Sequence, residues 1–141
     1  MLRQFGADDR QAMNITLTSF GFRHGVPHNA DLVFDVRFLP NPHYDLELRP
    51  QSGLDSPVQE FVESQPATRQ FLEHVESLLT FLLPQYAAEG KTYLTVAFGC
   101  TGGRHRSVAM TCKVNEILSE LGYATTVLHA DLDGGTRGAR G

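Results

Sequence analysis

Eight consecutive residues, Cys100-Thr101-Gly102-Gly103-Arg104-His105-Arg106-Ser107, bring together a thiol, paired glycines, an imidazole, two guanidinium groups and two hydroxyls. The adjacent glycines let the backbone turn tightly, so successive N–H groups can face the inside of the turn. Ser107 opens a segment of helical apolar spacing, and the start of a helix adds unsatisfied N–H groups and the positive end of its dipole. Arg106 adds a charged fork. Amides, helix N-terminus and guanidinium are all donors converging on one spot. A phosphate suits them, because it takes bidentate bonds from arginine and settles on helix N-termini. We read residues 100–107 as a phosphate cradle, with Cys100, Thr101, Gly102, Gly103, Arg104, His105, Arg106 and Ser107 as candidate phosphate ligands or supports.

Cys100 admits two readings. A Cys and an Arg separated by five residues, with Gly at the fourth place and Ser after the Arg, resembles the signature of cysteine-dependent phosphatases. In such an enzyme Cys100 is a thiolate nucleophile and Arg106 holds the transferring phosphoryl group. Alternatively, Cys100 is a small strand-end residue packed beneath the loop. Hydrolysis also needs an acid for the leaving oxygen. Asp35, Asp45 and Asp131 are candidates that no motif ranks, and Gly99 stands where such phosphatases carry a His. The expectation is binding without turnover.

The cradle needs a strand before it and a helix behind it. Leu94, Val96 and Phe98 form a β-prone run stopping at Gly99, and Met110, Val114, Ile117, Leu118 and Leu121 recur at helical spacing before a capping Gly122. Residues 15–22 and 125–129 read as further strands. Residues 30–39 are nearly continuous in apolar character, yet Asp35 and Arg37 interrupt them. Either they pair internally, or they lie at the strand end beside the cradle with Arg37 as a second anion ligand. Pro40-Asn41-Pro42-His43 is a stiff loop, because proline restricts itself and its predecessor. His43, Tyr44, Asp45, Glu47 and Arg49 follow as either solvated loop polarity or ligand contacts. Ser56-Pro57-Val58-Gln59 resembles a capping box opening a short helix. Phe71, Leu72, Val75, Leu78, Leu79, Leu82 and Leu83 predict an amphipathic helix that Pro84 and Gly90 end. Strands alternating with helices imply a three-layer α/β domain, mainly parallel, with helices on both faces and ligands at the carboxyl ends of the strands. That rule puts residues 35–43 and 99–106 on one rim.

At 141 residues the chain fits one domain able to bury its own core. Residues 1–13 read as a flexible leader, 14–132 as the domain and 133–141 as a Gly-rich disordered tail. The net charge of −4 provides no global field for nucleic acid or an anionic membrane. Cys100 and Cys112 show neither metal nor disulfide spacing and are expected to be free thiols. No signal peptide or long apolar run is present, so a cytoplasmic location is expected, with no membrane partner, cofactor or metal.

With these residues in hand, the chain resembles the C-terminal domain of the RapZ family of bacterial RNase adapter proteins. The resemblance rests on Ser19-Phe-Gly-Phe-Arg-His-Gly-Val-Pro27, Val33-Phe-Asp-Val-Arg-Phe-Leu-Pro-Asn-Pro-His43, Leu48-Arg-Pro50, Gly53-Leu-Asp55, and residues 93–97 and 99–108. It implies a regulatory sensor of glucosamine-6-phosphate that also contributes to small-RNA binding and homo-oligomerisation. By the same resemblance Asp35, Arg37, Asn41 and His43 would contribute to the sugar pocket, and Thr101, Gly102, His105 and Arg106 to the phosphate. Full-length relatives carry an N-terminal nucleotide-binding domain with a P-loop, and G-x-x-x-x-G-K-[ST] does not occur here. Some relatives end in a basic tail, whereas this chain ends with only Arg137 and Arg140 among glycines. RNA binding is therefore expected to be reduced, since clustered Lys and Arg provide most such affinity.

Overall fold

The computed structural model describes residues 13–132. Four strands, β1 (Asn14–Gly21), β2 (Leu32–Asp35), β3 (Tyr93–Cys100) and β4 (Ala124–His129), form one sheet in the order β2-β3-β1-β4. All three pairings are parallel. Parallel neighbours cannot be joined by a tight hairpin. Accordingly, α1 (Ser56–Glu63) and α2 (Pro66–Ala88) link β2 to β3, and α3 (Arg106–Glu120) links β3 to β4. The α/β class and parallel sheet are those the sequence predicts.

Side-chain alternation selects the core. Ile15, Leu17, Leu94, Val96 and Phe98 share one face of the sheet and are buried with Val58 and Val62 of α1, Val75, Leu79 and Leu83 of α2, and Met110, Val114 and Leu118 of α3. Phe34 stacks on Phe98 at 5.5 Å and meets Phe71 edge-on at 6.0 Å. On the other face, Phe20 and Ala97 pack with Phe22 and Ala30 from the β1–β2 connection. Among the described residues, then, the three α-helices share one face and an irregular segment covers part of the other, in place of the three-layer arrangement with helices on both faces that the sequence predicts. The handedness of crossovers accounts for this placement. Both β2-to-β3 and β3-to-β4 step the same way across the sheet, and right-handed connections moving one way put their helices on one side.

Several local expectations change. The strand predicted over residues 30–39 is confined to Leu32–Asp35. Its ladder ends where Val36 donates to the Gly99 carbonyl and Asp35 Oδ1 accepts the Arg37 N–H at 2.9 Å, a side-chain turn that competes with extension. The capping box does not form. Asp55 is the N-cap of α1, its Oδ2 accepts the Ser52 N–H, and Gln59 donates to the Gly53 carbonyl. Helix α2 runs through Pro84 to Ala88, held by buried Leu83 and by Tyr86 and Ala87 against the core. Tertiary burial here outweighs the helix-breaking tendency of one proline. Gly122 ends α3 as expected, with φ of 96° and Tyr123 N–H donating to the Leu118 carbonyl at 3.0 Å. Met13, assigned to the leader, is 2% exposed and part of the core. The rest of that leader and the 133–141 tail lie outside the described residues.

Candidate phosphate-binding site

All four strands point their carboxyl ends at one rim, and the loop after β3 occupies its middle because β3 and β1 are the central strands. Glycine lets the backbone close around that loop. A Cβ on Gly21 would sit 2.5 Å from the Gly102 carbonyl carbon and 2.8 Å from the Gly103 nitrogen. One on Gly53 would sit 2.5 Å from the His105 carbonyl oxygen. Gly103 itself has φ of 81°, a conformation suited to glycine. Hydrogen bonds tie both ends down: Arg23 N–H donates to the Thr101 carbonyl at 3.1 Å, and Gly53 N–H to the Arg104 carbonyl at 2.7 Å.

Arg106, the first residue of α3, is only 5% exposed. Its Nη1 donates to the carbonyls of Arg37 at 2.6 Å and Leu39 at 2.9 Å, which fixes the guanidinium in place. Its Nε is buried without a hydrogen-bond partner while the residue lines a cavity of about 470 Å³. A buried cationic donor left unpaired is costly, and an anion in that cavity would relieve the cost. The amides of Thr101 and Gly102, also at the cavity, make no hydrogen bond to the described residues. Cys100 is 3% exposed. Its Sγ accepts the Gly103 N–H at 3.3 Å and donates to Ser107 Oγ at 3.2 Å, so the thiol is built into the underside of the loop.

His105 is buried, with Nε2 2.7 Å from the Gln51 carbonyl and 3.2 Å from that of Arg49. Carbonyls only accept, so Nε2 carries the hydrogen. Burial pushes the imidazole pKa down, the two carbonyls oppose this, and nearby Arg104 and His43 add to the lowering. The ring is therefore neutral near pH 7 and braces the loop against residues 49–51. His129, at the end of β4, contacts buried Ser19 Oγ through Nδ1 at 2.7 Å, and burial lowers its pKa too.

Of the residues singled out in sequence, Cys100, Thr101, Gly102, Arg104, His105 and Arg106 line the cavity, together with Asn41 and His43. Asn41 Oδ1 accepts the His43 N–H, which shapes the turn presenting that imidazole. Gly103 and Ser107 stand behind the lining as supports. Asp35 and Arg37 are at the strand end but do not line the cavity. Arg37 Nη2 bonds Asp35 Oδ2 at 2.7 Å, and its guanidinium carbon lies 3.9 Å from the Phe22 ring centre. That bond holds the Asp35 carboxyl below its ordinary pKa. Arg37 reaches the site through its carbonyl, which accepts from Arg106. The lining also takes in Arg23 and His24 after β1, Tyr44 and Arg49, which the sequence left open between loop polarity and ligand contact, and Asp131 after β4, one of the acids weighed for a phosphatase. The carboxyl-end rule points to residues just past each strand, and Arg23, His24 and Asp131 all lie there. Asp131 is the one carboxylate in the lining, and its Oδ2 accepts the Gly21 N–H at 2.8 Å.

Among the described residues, no cluster of three His, Cys, Asp or Glu could hold a metal, and no helix is long and apolar enough to cross a membrane. The chain is 53% identical over 127 residues to a "nucleotide-binding protein" of Desulforudis audaxviator, covering 90% of this chain and 43% of that protein. A nucleotide-binding protein of Listeria monocytogenes is 51% identical over 129 residues, 92% of this chain and 44% of its own length. One from Moorella thermoacetica is 51% identical over 128 residues, 91% and 42% respectively. The chain thus spans less than half the length of these relatives. The family model described as "RapZ C-terminal domain" matches residues 13–133, which takes in the sheet, the cradle loop and the turn bearing Asn41 and His43, and the chain belongs to that family.

Proposed function

We propose that this domain is a binding and regulatory module for a phosphorylated sugar, with glucosamine-6-phosphate as the first ligand to test. The observation that carries the reading is Arg106, a residue lining the cavity whose buried guanidinium is oriented by two carbonyls and whose Nε has no hydrogen-bond partner. The phosphate sits on the Thr101 and Gly102 amides and Arg106, and the sugar extends towards Asn41 and His43. Titration calorimetry with glucosamine-6-phosphate, inorganic phosphate and glucosamine tests this. Heat is expected from both phosphates and not from glucosamine, and negligible heat from all three would sink the reading. Arg106→Ala should weaken binding more than Arg37→Ala, because Arg37 is held by Asp35 outside the cavity.

The contact of Cys100 Sγ with the Gly103 amide and Ser107 keeps a phosphatase reading in play. In our proposal the thiol is a support for the loop. Cys100→Ser should leave phosphosugar affinity within several-fold, and the native protein should release no phosphate from p-nitrophenyl phosphate. Steady turnover abolished by Cys100→Ser, with alkylation near neutral pH that phosphate blocks, would install the phosphatase in its place. An RNA-adapter role is proposed to be reduced, since the chain carries a net charge of −4. A nanomolar, salt-dependent gel shift with structured RNA would reverse that view.

A further inference from the structure

We infer that Tyr44 is the platform on which the sugar ring of the ligand stacks, so that the cavity selects cyclic sugar phosphates over acyclic phosphate esters. This rests on the phosphosugar reading and assigns a residue to the sugar half of the ligand. One tetrahedral anion occupies little of a cavity of about 470 Å³, a volume within the range typical of whole-metabolite sites, about 300–1,000 Å³. Such sites usually carry aromatic surface, and here the lining is polar or charged at nearly every position. Tyr44 is the one Phe, Tyr or Trp ring in it, and the residue is 81% exposed. Phe38 and Leu46 are exposed apolar residues of the same stretch, and neither is in the lining.

The mount of this exposed ring is fixed, which distinguishes it from a stray surface aromatic. Pro42–Tyr44 is a single 3-10 turn anchored by buried Pro42 and entered through Asn41, whose Oδ1 accepts the His43 N–H at 3.0 Å. Tyr44 N–H donates to the Asn41 carbonyl at 3.2 Å, and Arg49 Nε donates to the His43 carbonyl at 2.8 Å. Just beyond, Asp45 N–H donates to the Pro42 carbonyl at 2.9 Å, and Asp45 Oδ1 accepts the Glu47 N–H at 2.9 Å. The backbone is therefore held on both sides of Tyr44, and a tyrosine has only two side-chain torsions to order on binding. Its ring meets that of His43 at 78° with centres 6.0 Å apart, and both residues line the cavity, so the two rings form a corner there. A sugar ring carries hydroxyls round its edge and C–H groups across its faces. One face is buried against the Tyr44 ring, and edge hydroxyls meet the polar groups of Asn41 and His43. An acyclic ester presents no such face.

Calorimetry on the whole chain with glucosamine-6-phosphate, glycerol 3-phosphate and inorganic phosphate tests the platform. The sugar phosphate should bind the native protein at least about fivefold tighter than the acyclic ester. In Tyr44→Ala that preference should fall below about twofold, while the affinity for inorganic phosphate shifts by less than about twofold. Tyr44→Phe should restore the preference, because it keeps the ring face and loses only the hydroxyl. Leu46→Ala, on the same loop and outside the cavity, should keep it. Equal affinity for the two esters, a preference that survives Tyr44→Ala, or a loss in Tyr44→Phe as large as in Tyr44→Ala overturns the inference while leaving the phosphate site intact. Loss of inorganic phosphate binding in Tyr44→Ala also overturns it, since the residue would then be shaping the cradle. No binding of any of the three ligands by the native protein overturns both readings.

Discussion

The least replaceable side chain is Arg106, because it serves the fold through two carbonyls and, in the proposed function, also holds the phosphate. Nη1 satisfies the carbonyls of Arg37 and Leu39, and Nε is buried without a partner. Arg106→Gln should cost stability on the order of 1–3 kcal/mol from the buried carbonyls it strands, readable by urea denaturation. It should also weaken phosphate binding by more than tenfold. Histidines set a separate prediction. His105 and His129 both have folded pKa values lowered by burial, so the unfolded chain binds protons that the folded chain does not. Stability contributed by the neutral rings is fully present above the ordinary histidine pKa of about 6.5 and is lost as pH falls through the lowered folded values. Melting curves should show Tm falling below about pH 6.5. His129→Gln, which can still bond Ser19, should flatten the dependence, and an unchanged slope would refute the assignment.

At the scale of elements, the cradle depends on backbone touching backbone. Gly21 ends β1 against the Gly102–Gly103 peptide, and its φ of −108° is open to any residue, so a substitution there tests space alone. Gly21→Ala should destabilise by about 1–3 kcal/mol through overpacking and push the loop out of its binding shape. Normal phosphate affinity in that variant would mean that the loop adapts freely. Pro84 is the converse case, a residue the fold tolerates. It lies inside α2 without an N–H to donate, so Pro84→Ala should raise stability, by at most about 3 kcal/mol and less once the freer unfolded chain is counted.

Across the whole molecule, a net charge of −4 coexists with a cavity rich in arginine and histidine. The positive field is therefore local, and anionic ligands should be drawn to the rim rather than to the surface at large. Because the cradle is anchored to β1, β3, α3 and the segment around Gly53, filling it should stabilise the domain as a unit. Ligand at about 100 times its Kd should contribute roughly 2.7 kcal/mol and raise Tm by several degrees. Thermal shift with and without glucosamine-6-phosphate checks this. No shift in the native protein at saturating ligand would mean that the site is uncoupled from the fold.

The sequence by itself determined the class of the fold and the loop around which the cavity forms. Both are written in local patterns: period-two and period-3.6 apolar spacing, a glycine pair, and an arginine at the mouth of a helix. It also determined the family, since residues 19–27, 33–43 and 99–108 match as contiguous motifs. Tertiary structure alone decided what depends on competition between neighbours. Asp35 and Arg37 read equally well as ligands or as a pair, and only the approach of Phe22 and the turn at Val36 selects the pair. Pro84 reads as a helix end, and only the core contacts of the residues beyond it carry the helix on. Arg49 reads equally as loop polarity or as a ligand contact, and only the structure brings its carbonyl to a histidine 56 residues away. Local propensity cannot weigh such contacts, because their energy exists only once the chain has closed on itself.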